Sequence, residues 1–573
     1  MLSLVVATVC ATAAAPALAA EPASAPTDRP DHVPADERFT VSPTVDGGTG
    51  EPASAYRLRG ANGTDSTAVD DDLESATGTV EVVVRLEDAN LRPSTDETDA
   101  EATLEEHANA TQEPLRTYAE ETPGVDLETT FWLSNAVVLE IDAGAVDPSS
   151  FDRFENVTAI HENFEIDVPE PPDTETYRSD GGERNGEKLG AVDGDAVGGT
   201  TAPESGRPVT TGAISFIRVP TIWETYDTRG AGARVAVLDT GIDVDHPDLE
   251  LHTDDPSDPT YPGGWAEFDG LGDRVEGSTP HDTGTHGTHV SGTVAGGNAS
   301  GTSVGVAPEA ELLHGLVLTE DGGTFAQLVA GMEWAVAEEA DVISTSLGAS
   351  GRHDRLIEPV TNAESAGVSV VAAVGNEGPE TSGSPSNVYD AVAVGAVDES
   401  GAVPSFSGGD EINASEWTTA PETWPERYVV PTVVAPGVDV VSTVPGGGYE
   451  ALPGTSMATP HVAGTVALLS TIDPDATPAE VRAALTETAW KPAGTPVASD
   501  TRYGAGIVDA AGAADRLADD RRNVSTRSET DARSSDRGFR SSEAVAGTVV
   551  LAVIVVATLV AATFERGGRG RDE

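Results

Sequence analysis

The middle of the chain alternates between two textures. Arg234-Val235-Ala236-Val237-Leu238, Leu312 to Leu318, Val342-Ile343-Ser344-Thr345-Ser346-Leu347, Val368 to Val374 and Ala391 to Val397 are apolar stretches of strand length. Runs of this kind, without polar alternation, belong to parallel strands covered on both faces. Helical stretches such as Thr324 to Glu339 separate them. Residues 212–515 therefore predict an α/β domain with a mostly parallel sheet flanked by helices. One more apolar run, Val462-Ala463-Gly464-Thr465-Val466-Ala467-Leu468-Leu469, holds no charge and predicts a buried helix.

A second patterned region precedes this one, over 79–170. Val80 to Leu86 predicts a strand, Ala102 to Glu121 a helix, Phe131 to Ile141 one or two strands, Pro148 to Phe154 a short helix and Val157 to Ile160 a last strand. A β-α-β-β-α-β order predicts a small α+β, ferredoxin-like sandwich, which by itself says nothing about function. Residues 21–78 are rich in Pro, Ala, Asp and Gly and read as a spacer; 171–211 form a polar, turn-rich linker, where proteolytic nicking concentrates.

The two ends differ from both. Residues 1–20 are apolar and close on Ala17-Leu18-Ala19-Ala20, the small-residue pattern of a cleaved leader. The only cysteine, Cys10, lies inside that segment, so a processed chain has no disulfide. After a polar stalk (516–543), Ala544 to Phe564 is uncharged and rich in Val, Ala and Leu. As a helix it spans about 31 Å, enough for a bilayer core. Arg566, Arg569 and Arg571 follow in a short tail, 565–573, and favour keeping it on the cytoplasmic side. The expectation is a single-pass membrane protein with its large domain outside the cell.

Charge adds the medium. Asp and Glu number 97 against 32 Lys and Arg, giving a formal charge of −65; only Lys188 and Lys491 are lysines. Such a chain repels nucleic acid, and self-repulsion strains its fold in dilute buffer. Multimolar salt shortens the screening length to roughly 3 Å and relieves that strain. A very salty medium is expected.

Candidate chemistry sits at three turns. Asp239 ends the strand Val235 to Leu238, where ligands of open α/β sheets bind. His286 and His289 open the small-residue stretch His286-Gly287-Thr288-His289-Val290-Ser291-Gly292. Ser456, in Gly454-Thr455-Ser456-Met457-Ala458-Thr459-Pro460, precedes the buried helix. A serine there either caps the helix through its oxygen or acts as a nucleophile beside unpaired N–H groups. A hydroxyl attacks well only when an imidazole takes its proton and a carboxylate fixes that imidazole. A second Asp-Thr-Gly at Asp282 raises an aspartic-protease alternative, but no apolar strand precedes it. No His-Glu-x-x-His spacing supports a metal at His286 and His289, and Ser456 is not in a Gly-x-Ser-x-Gly elbow.

Together these motifs resemble the subtilisin family of serine proteases, in which the three residues also follow the chain order Asp, His, Ser. The resemblance implies that Asp239 orients the imidazole, His286 is the general base and Ser456 the nucleophile. It implies that Asn376, in Ala372-Ala373-Val374-Gly375-Asn376-Glu377-Gly378, donates to the oxyanion with the Ser456 N–H. It further implies that Gly322, Ser346, Leu347 and Gly348 receive a polypeptide substrate as an added strand. The 79–170 sandwich is similar to the family's propeptide, an intramolecular inhibitor and folding aid, with removal expected in the 171–210 linker. The chemistry requires no cofactor. The family often binds calcium, but no loop here has a dedicated calcium spacing, so no metal residues are assigned. Two segments lengthen the pattern, 251–280 and about 410–428, and are expected as surface loops shaping substrate access. Rival readings are a binding module with idle machinery, separable by labelling with a fluorophosphonate, and a hydrolase of small esters, separable by comparing casein with a short ester.

Overall fold

A computed structural model describes residues 57–58, 68–70, 73–89, 91, 97–169, 209–252 and 264–522. The predicted leader, most of the spacer and linker, most of the stalk, the 544–564 segment and the tail lie outside the described residues. Among the described residues, no helix is long and apolar enough to cross a membrane.

The first region is the expected sandwich. Strand β1 (Thr79–Leu86), helix α1 (Glu97–Glu121), β2 (Val125–Phe131), β3 (Ala136–Asp142), a 3-10 turn (Pro148–Arg153) and β4 (Val157–Glu162) follow in order. The main strands lie side by side as β4-β1-β3-β2, all antiparallel. The predicted Phe131–Ile141 block holds the end of β2, a turn and most of β3. Trp132–Asn135 form the turn between two strands, and Asn135 adopts a positive φ of 41°, which Asn tolerates better than most residues. One face of the sheet packs its own core around Val82, Val84, Leu115, Leu139 and Phe151. The other face contributes Val83, Phe131, Leu133 and Val138 to a core shared with the second region.

That second region is a seven-stranded sheet in which every neighbouring pair is parallel. Its strands are β6 (Arg234–Asp239), β7 (Trp265–Glu267), β8 (Glu311–Leu316), β11 (Val342–Thr345), β12 (Ser369–Ala373), β13 (Val392–Val397) and β16 (Val433–Pro436). A short edge strand, β5 (Glu165–Ile166), and two more, β9 (Leu318–Thr319) and β10 (Gly322–Thr324), lie outside it. Helices α2 (His286–Ala295) and α5 (Thr455–Ile472) cover one face of the sheet; α3 (Phe325–Ala337) and α4 (Ile357–Ser365) cover the other. Val235, Val237, Ile343, Val370 and Val394 are fully buried, each worth about 1.5–3 kcal/mol of transfer free energy. The predicted buried helix is α5, with every residue from Thr455 to Leu469 buried. The helix over 510–522 continues past residue 515 and keeps Leu517 in the core.

The two lengthened segments are more than loops. Residues 410–430 form a hairpin, β14 (Asp410–Asn413) with β15 (Arg427–Val430). Its Trp417, Trp424 and Tyr428 are buried, and their polar atoms are used: Trp417 Nε1 donates to Tyr428 Oη at 3.0 Å and Trp424 Nε1 to Asp390 at 2.8 Å. The 264–280 part adds edge strand β7 and a turn that meets the small domain. There Thr129 Oγ1 donates to Asp273 at 2.6 Å, and Asn163 Nδ2 to the Gly270 carbonyl at 2.8 Å.

Candidate active site

Asp239 is the last residue of β6, fully buried at the carboxyl edge of the parallel sheet. His286 is the first residue of α2, and Gly287 explains how it comes so close. A Cβ at Gly287 would lie 2.1 Å from the Gly241 carbonyl, so only glycine lets the helix start abut the turn after β6. His286 Nδ1 lies 2.7 Å from Asp239 Oδ1, which also accepts from the Thr240 N–H at 2.8 Å. Burial alone lowers the affinity of His286 for a proton. The charge of Asp239, its hydrogen bond and the charge of Asp282 together outweigh that and raise the pKa above its usual 6.5. His286 Nε2, on the far side of the ring, has no hydrogen-bond partner among the described residues.

Ser456 lies at the second position of α5, after Gly454 at the cap, so the serine is not the N-cap residue. The capping alternative is thereby excluded. Its Oγ instead faces the Ser346 carbonyl at 3.4 Å, while Ser346 Oγ donates to the Ser456 carbonyl at 2.9 Å. The hydroxyl is therefore free of any strong bond that would quench it, and such bonds often tighten only with substrate bound. Asn376 is held by its carbonyl end: Oδ1 accepts from the Thr455 N–H at 2.9 Å and from Thr455 Oγ1 at 3.0 Å. Its amide nitrogen is thus turned the other way. A Cβ at Gly454, whose φ is +149°, would lie 3.5 Å from Asn376 Nδ2 and 3.7 Å from the Ser456 nitrogen. Both donors border one small space.

That space is not open. Residues 165–169 run through the cleft as an added strand. Gly323 pairs with Ile166 and Thr324 with Glu165, antiparallel. On the other side Asp167 and Gly348 exchange both backbone bonds, at 3.0 and 2.8 Å. Asn376 Nδ2 donates to the Pro169 carbonyl at 3.4 Å. Gly348 thus pairs with a segment of its own chain. Gly322 adjoins the added strand, because a Cβ there would meet Asp167 Oδ1 at 2.8 Å. Leu347 is fully buried, in the same core as Ile166, Phe325 and Leu356.

Three residues behind the site were not singled out for a role in it. Asp282, weighed only as an aspartic-protease carboxylate, is a clamp. It accepts from Thr240 Oγ1 and from the Thr288 N–H, both at 2.9 Å, tying the turn after β6 to α2. His314 on β8 accepts from the Gly241 N–H at Nε2 (3.1 Å), which places its proton on Nδ1, toward Ser291 Oγ at 2.9 Å. Burial pushes its pKa down to about 4 and keeps it neutral. The Thr240 hydroxyl joins Asp282 to the start of α2, donating to Asp282 and accepting from the Gly287 N–H, each at 2.9 Å. Their only sequence signal was proximity to the motifs. His289, expected to pack, sits in α2 with Nε2 near the Val440 and Glu450 carbonyls at 3.0 and 3.2 Å, and burial lowers its pKa to about 4. Among the described residues, no cluster of three or more His, Cys, Asp or Glu is arranged to hold a metal.

A parallel α/β sheet with an Asp239–His286 pair at one strand end, and with Ser456 and Asn376 beside a peptide strand, fits a hydrolase of the serine type. Similarity to known proteins makes the class specific. The subtilase (peptidase S8) family model matches residues 230–506. Subtilisin E of Bacillus subtilis strain 168 is 38% identical over 307 residues, covering 52% of this chain and 70% of that protein. The subtilisin of Bacillus pumilus is 38% identical with 97% of its length covered, and subtilisin BL of Lederbergia lenta 40% identical over 282 residues with 90% covered. The chain belongs to the subtilase family and is a subtilisin-like serine endopeptidase.

Proposed function

We propose that this endopeptidase is exported as a precursor, works in concentrated salt and is tethered to the membrane by Ala544 to Phe564, with Asp239, His286 and Ser456 as its catalytic triad. Ser456 Oγ attacks the carbonyl carbon of a peptide while His286 Nε2, unpartnered in the resting site, takes its proton. Asp239 holds the other ring nitrogen and stabilises the imidazolium. The developing oxyanion is met by Asn376 Nδ2 and the Ser456 N–H. His286 then protonates the leaving amine, and water releases the acyl group by the same steps in reverse. The 79–170 sandwich serves as the propeptide, and an acidic surface suits a halolysin-like enzyme of a salt-loving organism.

The observation that carries this reading is the strand 165–169, bonded on both edges with a carbonyl at Asn376. A cleft that binds its own chain main chain to main chain is built for polypeptides rather than small esters. The test is casein hydrolysis by the full chain in about 3 M salt beside Ser456→Ala. The wild type should digest casein and take up a fluorophosphonate at Ser456. The variant should do neither, a loss on the order of 10⁶-fold, the magnitude measured on a subtilisin. A folded wild type that is inert to both reagents would overturn the reading in favour of a binding module.

A further inference from the structure

Asparagine is scarce in this chain, and its placing is selective. Of 13 asparagines, six open the triplet Asn-x-Ser/Thr with x other than Pro: Asn62, Asn109, Asn156, Asn298, Asn413 and Asn523. Ser and Thr make up under a fifth of the chain, so about two such triplets would be met by chance. Asn62 and Asn523 lie outside the described residues.

The described asparagines outside the triplet all have internal work. Asn135, Asn163, Asn362, Asn376 and Asn387 each donate through Nδ2 to a backbone carbonyl, and none is exposed. Inside the triplet the pattern reverses. Asn109, Asn156 and Asn298 are exposed, and no hydrogen bond to a described residue holds their amides. Asn413 alone of the four is half-buried, with Nδ2 donating to Glu416 Oε1 at 3.0 Å in a helix cap. On a surface whose polar groups come mainly from acids, exposed asparagine thus occurs, among the described residues, only two positions before a hydroxyl.

The three exposed sites are not equal. Asn109 sits inside α1, where the Thr111 hydroxyl is committed to the His107 carbonyl at 2.9 Å. Asn156 adopts a φ of 79°, a left-handed backbone that asparagine tolerates, so its identity has a conformational reason. Asn298 has neither feature. It opens the turn after α2, where the Gly301 N–H bonds to its carbonyl at 2.8 Å while its side chain makes none of the turn's bonds. A Cβ at Gly301 would meet nothing within 4 Å, so the turn faces open solvent. The turn follows the far end of α2, whose ten residues put it about 15 Å from His286. A bulky group there leaves the cleft clear.

We propose that Asn298 carries an N-linked glycan added during export, and that Asn413 stays bare. This rests on the export reading above. The donor is a saccharide joined through its anomeric carbon to a lipid phosphate. Asn298 Nδ2 bonds to that carbon as the C–O bond to phosphate breaks. The phosphate leaves with the electron pair and takes up one amide proton, so Nδ2 keeps a single N–H.

The experiment isolates the protein from its own source organism and weighs proteolytic peptides, with fragmentation to place any sugar. The peptide holding Asn298 should be heavier by one glycan on most copies, and the peptide holding Asn413 should have its bare mass. Asn298→Asp, nearly isosteric and without the amide nitrogen, should abolish the added mass. Ser300→Ala should abolish it too, while Ser300→Thr, which keeps the triplet, should retain it. A bare Asn298 on a chain that has lost residues 1–20 overturns this proposal alone. So does added mass that survives Ser300→Ala, or a glycan on Asn413. A chain that keeps residues 1–20, stays inside the cell and carries no glycan sinks the export reading and this proposal together.

Discussion

The corner that gathers Asp239, His286 and Ser456 and the face on which the small domain rests are built from different kinds of interaction. The corner is held by neutral donors from within one domain. Thr240, Gly287, Thr288 and Thr455 give backbone N–H groups to fixed acceptors, and His314 is kept neutral. The docking face buries ionisable groups contributed by both domains. Arg85, 2% exposed, forms an ion pair with Glu358 and donates to the Arg355 carbonyl at 2.9 Å. Glu333 of α3 accepts the Trp132 and Leu133 N–H groups at 2.7 and 2.9 Å, and Asn362 of α4 donates to the Leu133 carbonyl at 2.7 Å. Burial lowers the Arg85 pKa to about 10. Such groups are tolerated only while paired, so separating the domains returns them to water and recovers their hydration. The corner is thus joined through backbone N–H groups, and the docking face through buried ionisable groups.

Two substitutions separate the regions. Asn376→Ala should lower kcat for a peptide substrate by about 10²–10³, the range measured on the matching asparagine of a subtilisin. Hydrogen exchange at the Trp132 and Leu133 amides should stay at the wild-type rate, because the docking face is untouched. Arg85→Met should do the reverse. It leaves Glu358, whose side chain keeps 26% exposure, without its partner. That exposure puts the cost near the low end for broken buried pairs, about 2–3 kcal/mol. Measured in the Ser456→Ala background, opening at Trp132 and Leu133 should rise roughly 30- to 150-fold, with Thr240 and Thr455 unchanged. Faster exchange at the corner as well would mean that the two regions are one cooperative unit.

The sheet was readable because parallel strands covered on both faces must be apolar throughout, and Val235 to Leu238 or Ala391 to Val397 have no other use for such a run. The motifs around His286 and Ser456 were readable because their turns need small residues: Gly287 has no room for a Cβ and Gly454 adopts a backbone that side chains avoid. The clamp was not. Asp282 meets Thr240, and His314 meets Gly241, only after β6, β8 and α2 are assembled, from 42 and 73 residues away, and a lone buried histidine has no period. Nor did the sequence mark residues 165–169 as the strand in the cleft, since the pairing partners Gly323 and Gly348 lie more than 150 residues downstream. The 410–430 hairpin was missed for a related reason. Its three aromatics read as scattered polar-flanked residues until they close on Asp390.

The smallest expected effect concerns protons at the docking face. His161 on β4 is 1% exposed, with Nδ1 near the Glu162 carbonyl at 2.6 Å and Nε2 without a partner. Burial first, then the charges of Arg355 and Arg85, hold its pKa well below 6.5. Docking therefore requires the neutral ring. That contribution is complete above about pH 6.5, the value of the exposed ring, and is lost as pH falls below it. Glu333 acts with the opposite sign: burial pushes its carboxyl up to about 8, so docking takes up a proton and weakens as pH rises toward 8. The two partly cancel below pH 6.5, and the wild-type slope there should be shallow. The ratio of opening rates between wild type and His161→Phe, read at the Trp132 amide in the Ser456→Ala chain, isolates the histidine. Phenylalanine keeps the edge-on contact with Phe325, whose centroid lies 5.1 Å away. The ratio should be constant above pH 7 and climb below 6.5 by at most about tenfold per unit, the limit for one proton. A ratio that is flat down to pH 5 would mean that His161 enters the interface already able to hold its proton, and that charge at this face is governed by Arg85 and Glu333 alone.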